Sequence, residues 1–272
     1  MASFDAADFA QRYGPCALVT GGGNGIGAEY CRQLAALGIE LAILDRDEKA
    51  LATIADELSG RSRVTTVAVD LTSSADELLD AVRGITREHD VGLLVANAAW
   101  SPVGPFIETD LESLLAGVDV NSRATVVLAH ELGRAMVERG RGGMIIMSSL
   151  AAETGTAQVA LYSATKAFNL VLAEGLWYEL RERGVDVIAI RPGSTRTPSW
   201  ESTQPTDGDV SDAMEPADVV AEALALLGTT PSSPSGEANR QAERYFRSLS
   251  RREVIELMSG ITSRLVPPPT TE

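Results

Sequence analysis

A chain of 272 residues, 44% hydrophobic and 22% charged, suits one large folded domain and is too apolar to stay unfolded. Its 38 acidic residues outnumber 23 Lys and Arg, and a net charge of −15 repels phosphate backbones and anionic bilayers, so neither nucleic acid nor membrane is expected as a partner. Two Cys, Cys16 and Cys31, make no disulfide framework and fit a reducing cytoplasm, and two distant His, His89 and His130, exclude a His-rich metal site.

The first ten residues carry Asp5 and Asp8 and lack the basic start and apolar run of a secretory signal. No apolar stretch approaches the roughly 20 residues that span a bilayer. Cys16–Thr20 reads as a buried strand, followed by a Gly-rich turn, a helix over 26–37 and Gly38 as its C-cap. Strand 39–45, helix 48–58, strand 64–69, helix 75–88 and strand 91–96 follow, then a single long helix 111–139, strand 143–147, helix 159–183 and strand 185–190. Strands apolar on both faces that alternate with helices predict an α/β fold, a parallel sheet covered by helices on both sides. Ligands of such sheets sit beyond the carboxyl ends of the strands. Residues 194–212, rich in Ser, Thr, Pro and Asp, read as a mobile loop over that edge. Helix 216–227, a linker over 229–236 and one or two helices over 237–261 complete the chain.

The first strand runs into Thr20-Gly-Gly-Gly-Asn-Gly-Ile-Gly27, a Gly-x-x-x-Gly-x-Gly pattern on Gly21, Gly25 and Gly27. Missing side chains let a backbone approach a pyrophosphate held by the N–H groups of a helix start, so Gly21, Gly23, Asn24, Gly25, Ile26 and Gly27 are candidate cofactor contacts; a plain tight turn is the alternative. Asp45 ends the next strand 20 residues after Gly25, the spacing at which an acid reaches the adenosine ribose hydroxyls. An Asp there repels a 2′-phosphate and favours NAD over NADP. Arg46 argues the other way but has no support from the uncharged Asn24, and an N-cap for the following helix is the competing use of Asp45. Asp70 with Leu71, and Asn97 with Ala98, close the third and fourth strands; their place points to adenine and ribose contacts, though either pair could simply turn the chain.

Tyr162-Ser-Ala-Thr-Lys166 sets Tyr and Lys on one face of a helix, and Ser149 stands 13 residues before the Tyr, just past the fifth strand. Ser148 beside it fits a strand-end hydroxyl. Each taken alone, these residues also fit a buried Tyr, a solvated Lys and a turn.

Together, Thr20–Gly27, Asn97-Ala-Ala, Asn121, Ser149, Tyr162-x-x-x-Lys166 and Pro192-Gly193 resemble, in order and spacing, the short-chain dehydrogenase/reductase family over about residues 14–228. The resemblance implies a single Rossmann-type, doubly wound domain that moves a hydride between a nicotinamide cofactor and an alcohol or ketone. It implies Tyr162 as general acid/base, Lys166 on the nicotinamide ribose, Ser149 on the substrate oxygen and Asn121 as holder of a relay water. Pro192, Gly193, Thr195 and Thr197 resemble the segment beside the nicotinamide, and the two long helices resemble the family's oligomer contact, implying a homodimer or homotetramer. The chemistry agrees: a free Tyr titrates near pH 10 and must drop by roughly three units, ~4 kcal/mol, to act near neutrality, which a nearby ammonium favours.

The sequence departs from the family at Ala99, where a Gly is usual, and in showing no recognisable final strand, where a linker and helical tail over 229–272 stand instead. It also extends at Met1–Tyr13, as a surface helix or a frayed end. The tail is expected as a lid, a dimer-swapped element or a packed terminal helix. Trp100, Leu150, Glu153, Val159, Trp200 and Met214 are candidate walls for a bulky, cyclic or steroid-like alcohol, or simple packing residues. A dehydratase or epimerase of the same fold, and a nucleotide sensor without chemistry, are the alternative readings.

Overall fold

The computed structural model describes residues 5–204 and 213–265. Seven strands, β1 (Cys16–Thr20), β2 (Glu40–Asp45), β3 (Val64–Ala68), β4 (Val91–Ala96), β5 (Gly142–Met147), β6 (Val185–Arg191) and β7 (Ser232–Pro234), pair in parallel in the order β3-β2-β1-β4-β5-β6-β7. The expected Rossmann-like α/β sheet is therefore present as one domain. Its order reverses between β1 and β4, and the crevice of such a sheet opens at that switch point.

Alternation along β1 explains why both faces are covered. Ala17 and Val19 point into a layer built from α1 (Ala6–Tyr13), α2 (Gly25–Ala36), α3 (Glu48–Leu58) and α9 (Pro216–Leu226). Cys16 and Leu18 point the other way, into a layer with α4 (Ala75–Glu88), α6 (Ala124–Arg139) and α7 (Ala160–Leu180). Both thiols are fully buried, one in each layer, and burial pushes each up to about 12. Local chemistry sets the helix ends. Asp47 accepts from the Lys49 and Ala50 amides to cap α3, Ser74 and Glu77 form a capping box on α4, and left-handed Gly140 closes α6.

Four expectations change. The single helix 111–139 is three pieces: α5 (Leu111–Val118), a π-helical turn at Asp119–Arg123, and α6. The wider turn adds a residue without breaking the apolar periodicity, so the sequence pattern runs through it. The stretch read as linker contains β7, which pairs with β6, so the sheet continues past residue 228. Ser-Ser-Pro carries no strand propensity, and Pro234 is tolerated because β7 is the sheet's edge. The stretch read as a mobile loop holds a short helix, α8 (Pro198–Glu201), and a bridge from Thr195 to Met214; its residues 205–212 lie outside those described. Finally, Met1–Tyr13 supplies α1, whose Phe9 and Tyr13 are buried in the core, with the Tyr13 hydroxyl donating to Asp186 at 2.7 Å.

The tail forms α10 (Glu237–Ser248) and α11 (Arg251–Thr262), packed on their own chain through Phe246, Val254, Met258 and Leu150. Among the described residues no helix is long and apolar enough to cross a membrane.

Candidate active site

β1 delivers the chain to a turn that only glycine can form. Gly21 (φ +64) and Gly25 (φ +54) adopt left-handed backbone, and a Cβ on Gly27 would lie 2.0 Å from the Gly21 carbonyl oxygen. Asn24 stands at the N-cap of α2 in extended geometry, and its side chain makes no capping bond to the N–H groups that open this helix. That uncapped helix start, inside a glycine cradle that a Cβ would fill, fits a pyrophosphate. Thr197, which caps α8, closes over the turn: a Cβ on Gly25 would meet its methyl at 3.1 Å. The Ile26 side chain packs against the core.

The Asp45 carboxylate accepts from the Gly23 amide at 3.0 Å and the Asp47 amide at 3.1 Å. The cap of α3 is Asp47, so the competing use of Asp45 as an N-cap does not hold. Arg46 is exposed and lies over the Trp100 ring, 5.2 Å from its centroid. Asp70 turns back on Thr72, accepting from its amide and hydroxyl at 2.9 Å, and these bonds hold its carboxyl below the usual range. With Arg46, Asp47, Glu48, Ala68 and Val69 it lines an open cavity of about 520 Å³ at the carboxyl ends of β2 and β3. Leu71 is a core residue.

Asn97 and Ala98 meet the turn through Thr20. Its hydroxyl accepts from both their amides at 3.0 Å, while the Asn97 side chain donates to the Thr20 and Gly21 carbonyls. Thr20 opens the sequence motif but the spacing rule assigned it no task; only the fold shows it stapling β4 to the turn.

The second half of the site gathers at the ends of β5 and β6. Ser149 caps a single 3-10 turn, Leu150–Glu153, by accepting from the Ala151 amide at 3.1 Å. Tyr162 is half-buried; burial pushes its phenol above the usual range and the neighbouring Ser149 hydroxyl pulls it back. Lys166 is 2% exposed, donates to the Met147 carbonyl at 2.9 Å, and lies 5.5 Å from the centroid of the Tyr162 ring. Burial lowers its ammonium to about 8. Ser148 donates to the Lys166 carbonyl at 2.7 Å and is structural, as its place at a strand end suggests.

Asn121 sits fully buried in the π-helical turn with its side chain committed. It accepts from the Trp100 amide at 2.7 Å and donates to the Trp100 carbonyl and the Thr165 hydroxyl at 2.8 and 2.9 Å. It therefore ties the loop after β4 to α7. The Pro192 carbonyl accepts from the Leu150 amide at 2.9 Å, Thr195 is buried and donates to the Gly193 carbonyl, and Gly193 lies against Asn239 of α10. Arg191, Glu153 and Glu243 form a buried ion-pair cluster beneath this segment. Sequence reasoning assigned Glu153 to the pocket wall and missed the other two, which are far apart along the chain.

The structure thus brings Ser149, Tyr162 and Lys166 together at one end of the crevice and the Gly-rich turn, Asp45 and Asn97 at the other. Among proteins of known family, the model described as short chain dehydrogenase matches residues 15–208. A 7beta-hydroxysteroid dehydrogenase of Clostridium sardiniense is 29% identical over 253 residues, 91% of this chain and 95% of that protein. A Homo sapiens protein described as inactive hydroxysteroid dehydrogenase-like protein 1 is 31% identical over 189 residues, 68% of this chain and 57% of that one. A solved structure from work on 7beta-hydroxysteroid dehydrogenase stereoselectivity superposes with a TM-score of 0.84 at 27% identity, covering 92% of this chain and 98% of that one.

Proposed function

From the premise that the chain belongs to the short-chain dehydrogenase family of oxidoreductases, we propose that it interconverts a secondary alcohol and a ketone with NAD, using Tyr162 as general acid/base. The observation that carries this reading is the meeting of Ser149, Tyr162 and Lys166 at the carboxyl ends of the central strands. A bound nicotinamide supplies the hydride acceptor in one direction and the donor in the other.

Everything else falls to the chain's own residues. The Ser149 hydroxyl, able to donate or accept, orients the substrate oxygen beside the Tyr162 hydroxyl, which takes or gives the proton. Burial opposes the phenolate, so the Lys166 ammonium beside the ring is what makes proton transfer feasible near neutrality. Lys166 spends one N–H on the Met147 carbonyl, and its other two are assigned to the nicotinamide ribose. Both side-chain N–H groups of Asn121 are committed, so a relay water held there donates to one of its oxygens, of which the side-chain Oδ1 accepts from the Trp100 amide and the backbone carbonyl from the Thr125 hydroxyl. Pro192, Gly193, Thr195 and Thr197 flank the nicotinamide, and Asp70, Leu71, Asn97 and Ala98 flank the adenosine.

Asp45 supports NAD. Its carboxylate is held at the turn by the Gly23 amide, where a 2′-phosphate would meet a like charge. The substrate reading is a bulky cyclic or steroid-like alcohol, supported by the relatives named for such substrates. A homodimer or homotetramer is supported by exposed apolar side chains on α5 and α7, among them Leu111, Leu115, Phe168, Val171 and Tyr178. Residues 14–228 are read as the catalytic unit.

A panel of secondary alcohols and ketones, steroid-like ones included, assayed with NAD and NADP in parallel by reduced-nicotinamide absorbance, tests the reading. Turnover with NAD is expected. No turnover across the panel would overturn the activity, and a tenfold higher kcat/KM with NADP would overturn the cofactor preference.

A further inference from the structure

Arg191 ends β6, immediately before Pro192-Gly193, and is only 4% exposed. Its guanidinium bridges two carboxylates from different parts of the chain: Glu153, the last residue of the 3-10 turn that Ser149 caps, and Glu243 of α10 at 2.7 Å. Glu243 is itself buried and also accepts from Arg247 at 2.8 Å. The same 3-10 turn is held from the tail at further points. Arg251 of α11 donates to the Glu153 carbonyl at 2.6 Å, and Leu150 packs on Phe246, Val254 and Met258. Just beyond the turn, the Ala157 amide donates to Ser259 at 3.1 Å, and Thr262 donates to the Ala157 carbonyl at 2.8 Å.

A buried Arg between a buried and a partly buried carboxylate costs desolvation that simple packing would avoid, so its geometric effect is what the arrangement provides. The planar guanidinium fixes two directions at once. Here they run to the turn carrying the Ser149 hydroxyl and to the helix that also abuts Gly193. We propose that Arg191, Glu153 and Glu243 are positioning residues through which α10 and α11 set the Ser149 turn and the Pro192–Gly193 segment for catalysis. The inference rests on the oxidoreductase reading for its catalytic consequence, while the coupling itself can be read without turnover.

The test compares wild type with Glu243→Gln, which keeps the side chain's shape and removes its charge. Two readouts apply: backbone hydrogen exchange over residues 150–157, and the steady-state constants. The expected result is at least tenfold faster exchange at those amides with the strands unchanged, a tenfold or larger fall in kcat, and a cofactor KM within about twofold. Glu243→Asp, which restores the charge, is expected to bring kcat back to within about threefold of wild type. Arg244→Gln, on the same helix but paired, among the described residues, with exposed Glu237, is expected to change neither readout. If Glu243→Gln does not fold, Arg251→Gln removes the tail's bond to the Glu153 carbonyl from an exposed position and is expected to speed the same exchange severalfold. Unchanged exchange at 150–157, or a loss of kcat that Glu243→Asp does not recover, overturns the proposal. An inactive wild type with tail-dependent exchange overturns the oxidoreductase reading and leaves the coupling standing.

Discussion

Lys166 shows how the site works against its own stability. Both the folded and the unfolded chain carry the ammonium below pH 8, and the fold bears the desolvation of a side chain 2% exposed. Lowering it from 10.5 to about 8 corresponds to a cost of about 3 kcal/mol. Between those values the folded chain sheds its proton first, so stability rises with pH across that window and the cost disappears above it. Lys166→Met is therefore expected to melt several degrees higher than wild type at pH 7, a margin that narrows from pH 8 to 10.5, while losing turnover. The Met147 carbonyl stays satisfied by Asn169, which donates to it at 3.3 Å. Thermal melts at pH 7 and 10 decide this; a variant less stable at pH 7 would contradict it. Tyr162→Phe separates chemistry from binding: turnover is expected to fall at least a thousandfold, with the NAD dissociation constant by calorimetry within a few-fold of wild type.

At the scale of the element, the Gly-rich turn has no slack. A Cβ at Gly27 would lie 2.0 Å from the Gly21 carbonyl oxygen and 2.6 Å from the Asn97 side-chain Nδ2, both part of the staple joining β4 to β1. Gly27→Ala is expected to cost about 1–3 kcal/mol in denaturant melts and to weaken NAD binding at least tenfold. This element was legible because its information is local: the residues that make the turn are contiguous, and Asp45 lies one helix and one strand away. Tyr162 and Lys166 were legible for the same reason, being one helical turn apart. Legibility ended where the chain solves a problem at long range. The π-helical turn that aims Asn121 at Trp100 leaves the apolar pattern of α5 and α6 uninterrupted. β7 is three residues of weak propensity, placed by pairing with β6 and by bonds to distant Glu174 and to Arg240. Arg191 is separated from Glu153 by 38 residues and from Glu243 by 52, and no periodicity links them.

For the whole molecule, a parallel sheet with a topological switch point puts both halves of the crevice, proposed above to hold the adenosine and the nicotinamide, on strands that all enter the core. A ligand that spans them ties both halves to the native state. NAD at a hundred times its dissociation constant is expected to add about 2.7 kcal/mol, raising the melting temperature by roughly 5–10 °C, with a smaller rise for NADP at the same concentration. Equal rises would show that Asp45 does not discriminate. The net charge of −15 does not choose between the two cofactors; on the reading proposed above, the position of one carboxylate does.

The two thiols offer a way to watch this architecture open. Cys16 and Cys31 sit on opposite sides of the sheet, each fully enclosed and held as an unreactive thiol. In Cys16→Ala and Cys31→Ala variants, the surviving sulfur becomes a clock for one covering layer. Because β1 contributes side chains to both layers, the two clocks are expected to run at the same rate under a thiol-modifying reagent, followed by mass spectrometry. A faster rate on one side would mean that its helices lift away while the other side stays shut, and that the protein breathes asymmetrically about its own sheet.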